Sequence, residues 1–202
     1  MTICYKVENS LYVNITNACT NRCDFCIRNN GDGAYGSDSL WLEREPSVSE
    51  IKTDIAASTP RKYDELVFCG YGEPTCRLDT MLQVCKWLRE EYPSVKIRLN
   101  TNGHASLIAK KDVSEHFAGM FDTVSISLNA SNAQDYQRIC HSVFGEEAYG
   151  GMLDFAKRVK DYVPRVILSV VDVALTEEDI KKCHEIAQNA GVELRVRKYI
   201  SK

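Results

Sequence analysis

The sequence has no apolar stretch long enough to cross a membrane. Its most apolar run, residues 166–175, is interrupted by Ser169 and Asp172, whereas a spanning helix needs about 20 consecutive apolar residues. The opening MTICYKVENS lacks the basic start and apolar core of a signal peptide. Charge of one sign is also scarce: a net charge of −3 and a pI near 5.9 give no bulk attraction to nucleic acid, so no nucleic-acid partner is expected. There is no 20–50-residue repeat and no low-complexity linker. No serine–histidine nucleophile, paired-histidine zinc site or phosphate-binding glycine motif is present. The nine cysteines are too few and scattered for a disulfide scaffold, and an odd number cannot pair completely. The expectation is a cytoplasmic chain kept reduced, with residues 1–202 forming a single domain able to bury about 70% of its unfolded surface.

What is present is an alternation of strand-type and helix-type segments. Strands are expected at 11–15, 65–69, 96–100, 123–128, 166–173 and 193–200. Helices are expected at 47–58, 78–92 and 113–118, then one split around 144–148 whose stronger half is 152–163, and finally 177–190 between Thr176 and Gly191. Six such alternations imply a parallel sheet with right-handed crossovers. A complete eight-unit barrel takes about 250 residues, so the expected fold is α/β, a partial (β/α)6 TIM-like open barrel. Strand parity agrees. Val124, Ile126 and Leu128 share one face while Ser125, Ser127 and Asn129 share the other. Likewise Leu11, Val13 and Ile15 oppose Tyr12, Asn14 and Thr16, Ile97 and Leu99 oppose Arg98 and Asn100, and Leu194 and Val196 oppose Arg195, Arg197 and Tyr199. A parallel sheet buried on both faces is apolar on both, so the polar face is read as lining a cavity.

One loop stands out. In NACTNRCDFC, Cys19, Cys23 and Cys26 form the only compact thiol group. Structural zinc takes four ligands, and an iron–sulfur cube normally takes four cysteines. Three sulfurs on a 4Fe–4S cluster leave one iron open to a small molecule, and that open position is what the odd count supplies. Packed or zinc-binding cysteines are the plainer reading.

The segment CTNRCDFC resembles the CxxxCxΦC motif of radical SAM enzymes, with Phe25 at the aromatic position. GYGEP, with Gly70, Tyr71, Gly72, Glu73 and Pro74, resembles the GGEP motif of that superfamily, Tyr71 replacing its second glycine. The order of elements resembles the superfamily's partial barrel over nearly the whole chain. GYGEPT and SDSLWLEREP (37–46) look like the TatD-linked radical SAM family.

The resemblance implies two cofactors, a 4Fe–4S cluster on Cys19, Cys23 and Cys26 and S-adenosylmethionine chelated to the fourth iron. It implies one-electron cleavage of that sulfonium, a 5′-deoxyadenosyl radical, and hydrogen abstraction from a substrate, chemistry of the oxidoreductase or lyase kind. The backbone of Gly70, Tyr71, Gly72 and Glu73 would hold the methionine ammonium, unless GYGEP is an ordinary surface turn. Phe25 would contact adenine, or else pack in the core. Ser127, Asn129 and Asp172 would take the carboxylate or ribose hydroxyls, or merely satisfy neighbours. Asn102 lies at a strand end with the cofactor, and Tyr199 would lie near adenine.

Substrate contacts are expected from the polar strand face: Asn14, Arg98, Asn100, Arg195 and Arg197. Up to three guanidiniums in one cavity call for an anion, carboxylate or phosphate, unless Asp172 and Glu73 neutralise them. The partners expected are a small-molecule or protein substrate and an electron donor such as flavodoxin or ferredoxin. The chain ends within three residues of the strand at 193–200, which leads to the expectation that substrate or a partner covers the cluster. A radical activase acting on a partner protein is a second reading, and an iron–sulfur or zinc-binding sensor or scaffold is a third. Cys85 and Cys183 read as core residues, Cys69 and Cys76 flank GYGEP, and Cys4 and Cys140 stand alone. His104, His116, His141 and His184 read as surface or capping residues.

Overall fold

Short alternating segments build one sheet. The computed structural model describes residues 1–172 and 175–198. Its strands are β1 (Cys4–Val7), β2 (Ser10–Val13), β3 (Glu65–Phe68), β4 (Lys96–Thr101), β5 (Thr123–Ser127), β6 (Arg165–Val171) and β7 (Glu193–Arg197), ordered β1-β2-β3-β4-β5-β6-β7. β1 runs antiparallel to β2, and every later pair is parallel. Among the described residues β7 does not pair back to β1, so the sheet is an open barrel, as expected.

The sheet has seven strands where the alternation predicted six. β1 was hidden in a segment read only for targeting signals. Ile3, Tyr5 and Val7 are buried while Lys6 is exposed, which is strand periodicity. Val7 pairs with Ser10 across the two-residue turn Glu8-Asn9, where Glu8 has φ 51°. Asn and Asp favour such left-handed turn positions more than Glu does, so the turn carried a weak signal.

The helices are α1 (Val48–Ala57), α2 (Leu78–Glu91), α3 (Ala105–Ala109), α4 (Ala133–Cys140), α5 (Glu147–Val159) and α6 (Glu177–Ala190). Two start at reciprocal caps. Ser47 and Glu50 bond each other's backbone N–H at α1, and Thr176 and Asp179 do so at α6. Gly191, at φ 72°, ends α6. The split helix is real, with the break at 141–146. The expected helix at 113–118 is a single 3-10 turn, Ser114–Phe117, and the short helix α3 precedes it.

Parity sets the layers. Leu11, Val13, Leu66, Phe68, Ile97, Leu99, Val124, Ile126, Val166, Leu168 and Val170 pack under the helices as one cluster. Each such side chain contributes about 1.5–3 kcal/mol on burial. The register aligns the other face into rows: Tyr12, Val67, Arg98, Thr123 and Arg165 in one, Asn100, Ser125, Ile167 and Glu193 in the next, and Ser127, Ser169 and Arg195 above them. These three rows are polar but for Val67 and Ile167, and Val171 beside Arg197 and Val7 on β1 are further apolar residues of the same face.

Candidate functional site

The chain leaves β2 through Asn14 and Thr16, both buried, and enters the cysteine loop. Three backbone hydrogen bonds fasten that loop to the end of α4: Arg22 N–H to Cys140 O (2.9 Å), Asp24 N–H to Ile139 O (3.0 Å) and Val143 N–H to Thr20 O (2.9 Å). Cys19, Cys23 and Cys26 are free and half-buried. Burial pushes the Cys19 thiol up to about 12 and raises the Cys26 thiol, whereas the Cys23 thiol is raised first by its hydrogen bond with Cys140 and then by burial. The buried Cys140 thus does not stand alone. Among the described residues no three His, Cys, Asp or Glu side chains already converge on a metal position.

GYGEP lies against the exit of β2, and its glycines are required by contact. A Cβ on Gly70 would sit 2.1 Å from Asn14 Oδ1, and one on Gly72 2.3 Å from the Thr16 carbonyl oxygen. Glu73, buried, accepts hydrogen bonds from Thr75 N–H (2.9 Å), Thr75 Oγ1 (2.7 Å), Thr101 Oγ1 (2.8 Å) and Asn102 N–H (2.7 Å). Its side chain therefore ties the turn after β3 to the end of β4. Burial pushes its carboxyl above the usual range, while these donors favour the ionised form. Asn102 continues the network: its Nδ2 donates to Thr20 Oγ1 (2.8 Å) and its Oδ1 accepts from His104 N–H (3.0 Å).

Tyr71 packs on the inward side of the sheet, in a cluster that Tyr12 of β2 lies against. It is 3% exposed, donates from Oη to Gly31 O (2.7 Å) and meets Trp41 edge-on at 5.1 Å. Together with Tyr5, Val7, Ala34 and Leu40 it forms a second apolar cluster beneath the segment 31–42. That segment is fastened to the strand end by Asn14 Nδ2 to Leu40 O (2.7 Å) and by reciprocal bonds between Asn17 and Leu42 (2.8 and 3.1 Å). The bulk at Tyr71 thus anchors a strap along the inward face.

The other expected site residues are placed as follows. Phe25 is half-buried against the main core. Ser127 is half-buried at the end of β5. Asn129 is 4% exposed at φ 58°, its Nδ2 donates to Cys140 Sγ (3.6 Å), and its Oδ1 is buried without a partner among the described residues. Asp172 follows β6 and is half-buried. Tyr199 lies outside the described residues. The Asn100 side chain reaches the Cys69 thiol, which faces inward. Arg197 is exposed, within electrostatic range of Cys69, Tyr12 and Tyr35.

Arg98 faces inward as parity required, but its partners are Glu65 (3.0 Å) and Tyr12 Oη (3.2 Å), not Asp172 or Glu73. Arg98 and Arg195 line a cavity at the N-terminal ends of the strands, and Arg197 is not among its lining residues.

The sequence reading missed His104. It is fully buried, a correction to the expected surface or capping role, with Nδ1 3.0 Å from Thr20 Oγ1 and Nε2 3.2 Å from Tyr136 Oη. Asn21 Nδ2 donates to the same Tyr136 oxygen at 2.9 Å. Burial pushes the His104 imidazole down to about 4. The only available hint was an inward-facing Asn102 two positions before it.

Residues 13–193 match the Radical SAM superfamily. The chain belongs to the radical SAM superfamily. Members of this superfamily use S-adenosylmethionine and a 4Fe–4S cluster. The FeMo cofactor biosynthesis protein NifB of Azotobacter vinelandii is 25% identical over 154 residues, which are 72% of this chain and 30% of NifB. The chain thus spans less than a third of that curated relative. Streptococcus suis SuiB bound to S-adenosylmethionine superposes with a TM-score of 0.66 at 14% identity, over 96% of this chain and 38% of SuiB. A radical SAM methyltransferase from Sphaerobacter thermophilus gives 0.62 at 15% identity, over 96% and 68%. At these identities the two structures speak for the fold.

The residues present fit the superfamily's cofactors. Three thiols in one eight-residue span are the soft donors an iron–sulfur cluster takes. The buried amide oxygens of Asn21 and Asn129 have no partner among the described residues, and buried acceptors of that kind call for a donor.

Proposed function

We propose that this radical SAM chain binds a 4Fe–4S cluster through Cys19, Cys23 and Cys26, and S-adenosylmethionine beside it, to take hydrogen from an anionic substrate. The observation that carries this reading is a three-thiol loop packed against a turn, Gly70 to Glu73, whose glycines are required by contact with the exit of β2. When bound and reduced by one electron, the pair supplies homolytic cleavage of the sulfonium and a 5′-deoxyadenosyl radical.

The chain's own residues bind and orient. The backbone of Gly70, Tyr71 and Gly72 faces the methionine ammonium, and Glu73 holds that backbone in place through Thr101 and Asn102. Ser127, Asn129 and Asp172 supply polar contacts to the carboxylate and ribose, the free Asn129 Oδ1 accepting from a hydroxyl. Phe25 and Tyr199 flank the adenine. Arg197, with Asn14 and Asn100 on the same face, draws the substrate's anionic group. A flavodoxin or ferredoxin in the cytoplasm supplies the electron. Oriented contact and exclusion of water are what such a site contributes.

Anaerobic reconstitution with iron and sulfide, reduction, and chromatographic measurement of 5′-deoxyadenosine test the proposal. The native chain is expected to hold about four irons and form deoxyadenosine, and the Cys19→Ala/Cys23→Ala/Cys26→Ala variant to do neither. Iron retained by the triple variant removes the cluster assignment. Iron bound by the native chain without deoxyadenosine leaves a sensor or scaffold. For the substrate, carboxylates and phosphates are screened for stimulation of deoxyadenosine formation that Arg197→Gln loses.

A further inference from the structure

Glu65, Thr123, Arg165 and Glu193 are the first residues of β3, β5, β6 and β7. They lie at the end of the sheet opposite the cysteine loop, and with Arg98 and Arg195 they line a cavity of about 430 Å3. That volume falls within the range of small-molecule sites, roughly 300–1,000 Å3. Ile167 gives it an apolar wall, while the Leu194 side chain packs against the core on the other face.

The charges there do not cancel. Arg98 pairs with Glu65 at 3.0 Å and Arg165 with Glu193 at 2.7 Å. Arg195 makes no ion pair among the described residues, which leaves three guanidiniums against two carboxylates. Arg98 also keeps a spare donor, since its Nε is buried without a partner among the described residues. A buried donor of this kind is costly unless something accepts from it.

The balance selects the occupant. One carboxylate brings the cavity to neutrality and offers two oxygens to a guanidinium fork. A phosphate dianion would overshoot and meet Glu65 and Glu193 with like charge. The apolar wall suits a short carbon stem. We infer that this cavity at the N-terminal ends of the strands binds a small organic carboxylate, anchored by Arg195 and the free Nε of Arg98, separately from the cofactor site. Barrel chemistry takes place at the C-terminal ends of strands, so the occupant is a bound effector, not a reactant.

Thermal unfolding of the anaerobically reconstituted chain tests this, with sodium propionate as probe and sodium chloride and sodium phosphate at matched ionic strength and pH. Propionate at about ten times its dissociation constant is expected to raise the melting temperature by roughly 3–5 °C. Chloride should do nothing and phosphate less than propionate. Arg195 is exposed, so Arg195→Gln folds, as circular dichroism will verify, and it should abolish the propionate shift. A propionate shift that survives in Arg195→Gln overturns the inference. A larger response to phosphate overturns the carboxylate assignment, and no response beyond that to chloride up to 100 mM, roughly ten times a 10 mM dissociation constant, removes the site.

Discussion

The two ends of the sheet use polar side chains in opposite ways. At the C-terminal end Glu73, Thr101, Asn102 and His104 are buried and bonded to one another or to Thr20. At the N-terminal end the polar groups are ion pairs around an open cavity, and in one of them Arg165 and Glu193 remain 56% and 59% exposed. A buried network allows each group one arrangement, because any lost partner leaves an unsatisfied group in a low dielectric. An exposed pair contributes little, because water competes for both charges. The first end is thus built to hold a loop still, and the second to leave charge available.

The sharpest way to break this contrast is Glu73→Gln. The new amide would point donor hydrogens at the Thr75 or Asn102 N–H groups that the carboxylate now satisfies. The expected loss is about 3–5 kcal/mol, read as a lower denaturant midpoint, with loss of iron retention on reconstitution. A change below about 1 kcal/mol would mean the network is not what holds the turn.

His104 gives the next largest effect. Its folded-state imidazole titrates near 4 and its unfolded-state one near 6.5. Between those values the unfolded chain binds the extra proton, so stability is full above 6.5 and falls as pH drops toward 4, by as much as about 3 kcal/mol. Urea unfolding of the cluster-free chain across that window checks it. His104→Gln should flatten the slope, and identical slopes would contradict the burial of a neutral imidazole.

Gly72→Ala should cost about 1–3 kcal/mol, because the added methyl meets backbone carbonyls that cannot rotate away. A crystal structure of that variant should show the turn displaced from Thr16. Smallest is Arg165→Gln at the opposite end, expected below about 1 kcal/mol and weaker still in high salt. If it matched Glu73→Gln, the contrast between the two ends would fail.

Much of the fold was legible because burial enforces periodicity. β4 and β5 were read almost to the residue, since a one-residue slip would turn every apolar side chain away from the helices. β1 was missed because its four residues make a strand only when paired with β2. The 3-10 turn Ser114–Phe117 was overread as a helix: its apolar spacing suits either, and tertiary packing chose the shorter form. At the site, GYGEP was legible as a motif, yet the reason for its glycines, contact with Asn14 and Thr16, required the strand positions.

The sequence by itself determined the three-cysteine loop, the strand-helix alternation and which side chains face inward, because spacing and parity act over a few residues. Only the tertiary structure decided that Tyr71 turns into a strap, that Cys140 backs Cys23, that His104 is buried, and that Arg98 and Arg195 share a cavity which Arg197 does not line. Those outcomes depend on register between strands and on contacts between residues as far as 117 positions apart, as in His141 with Asp24. Local pattern leaves such pairings open, because the energy that selects them comes from burying partners together.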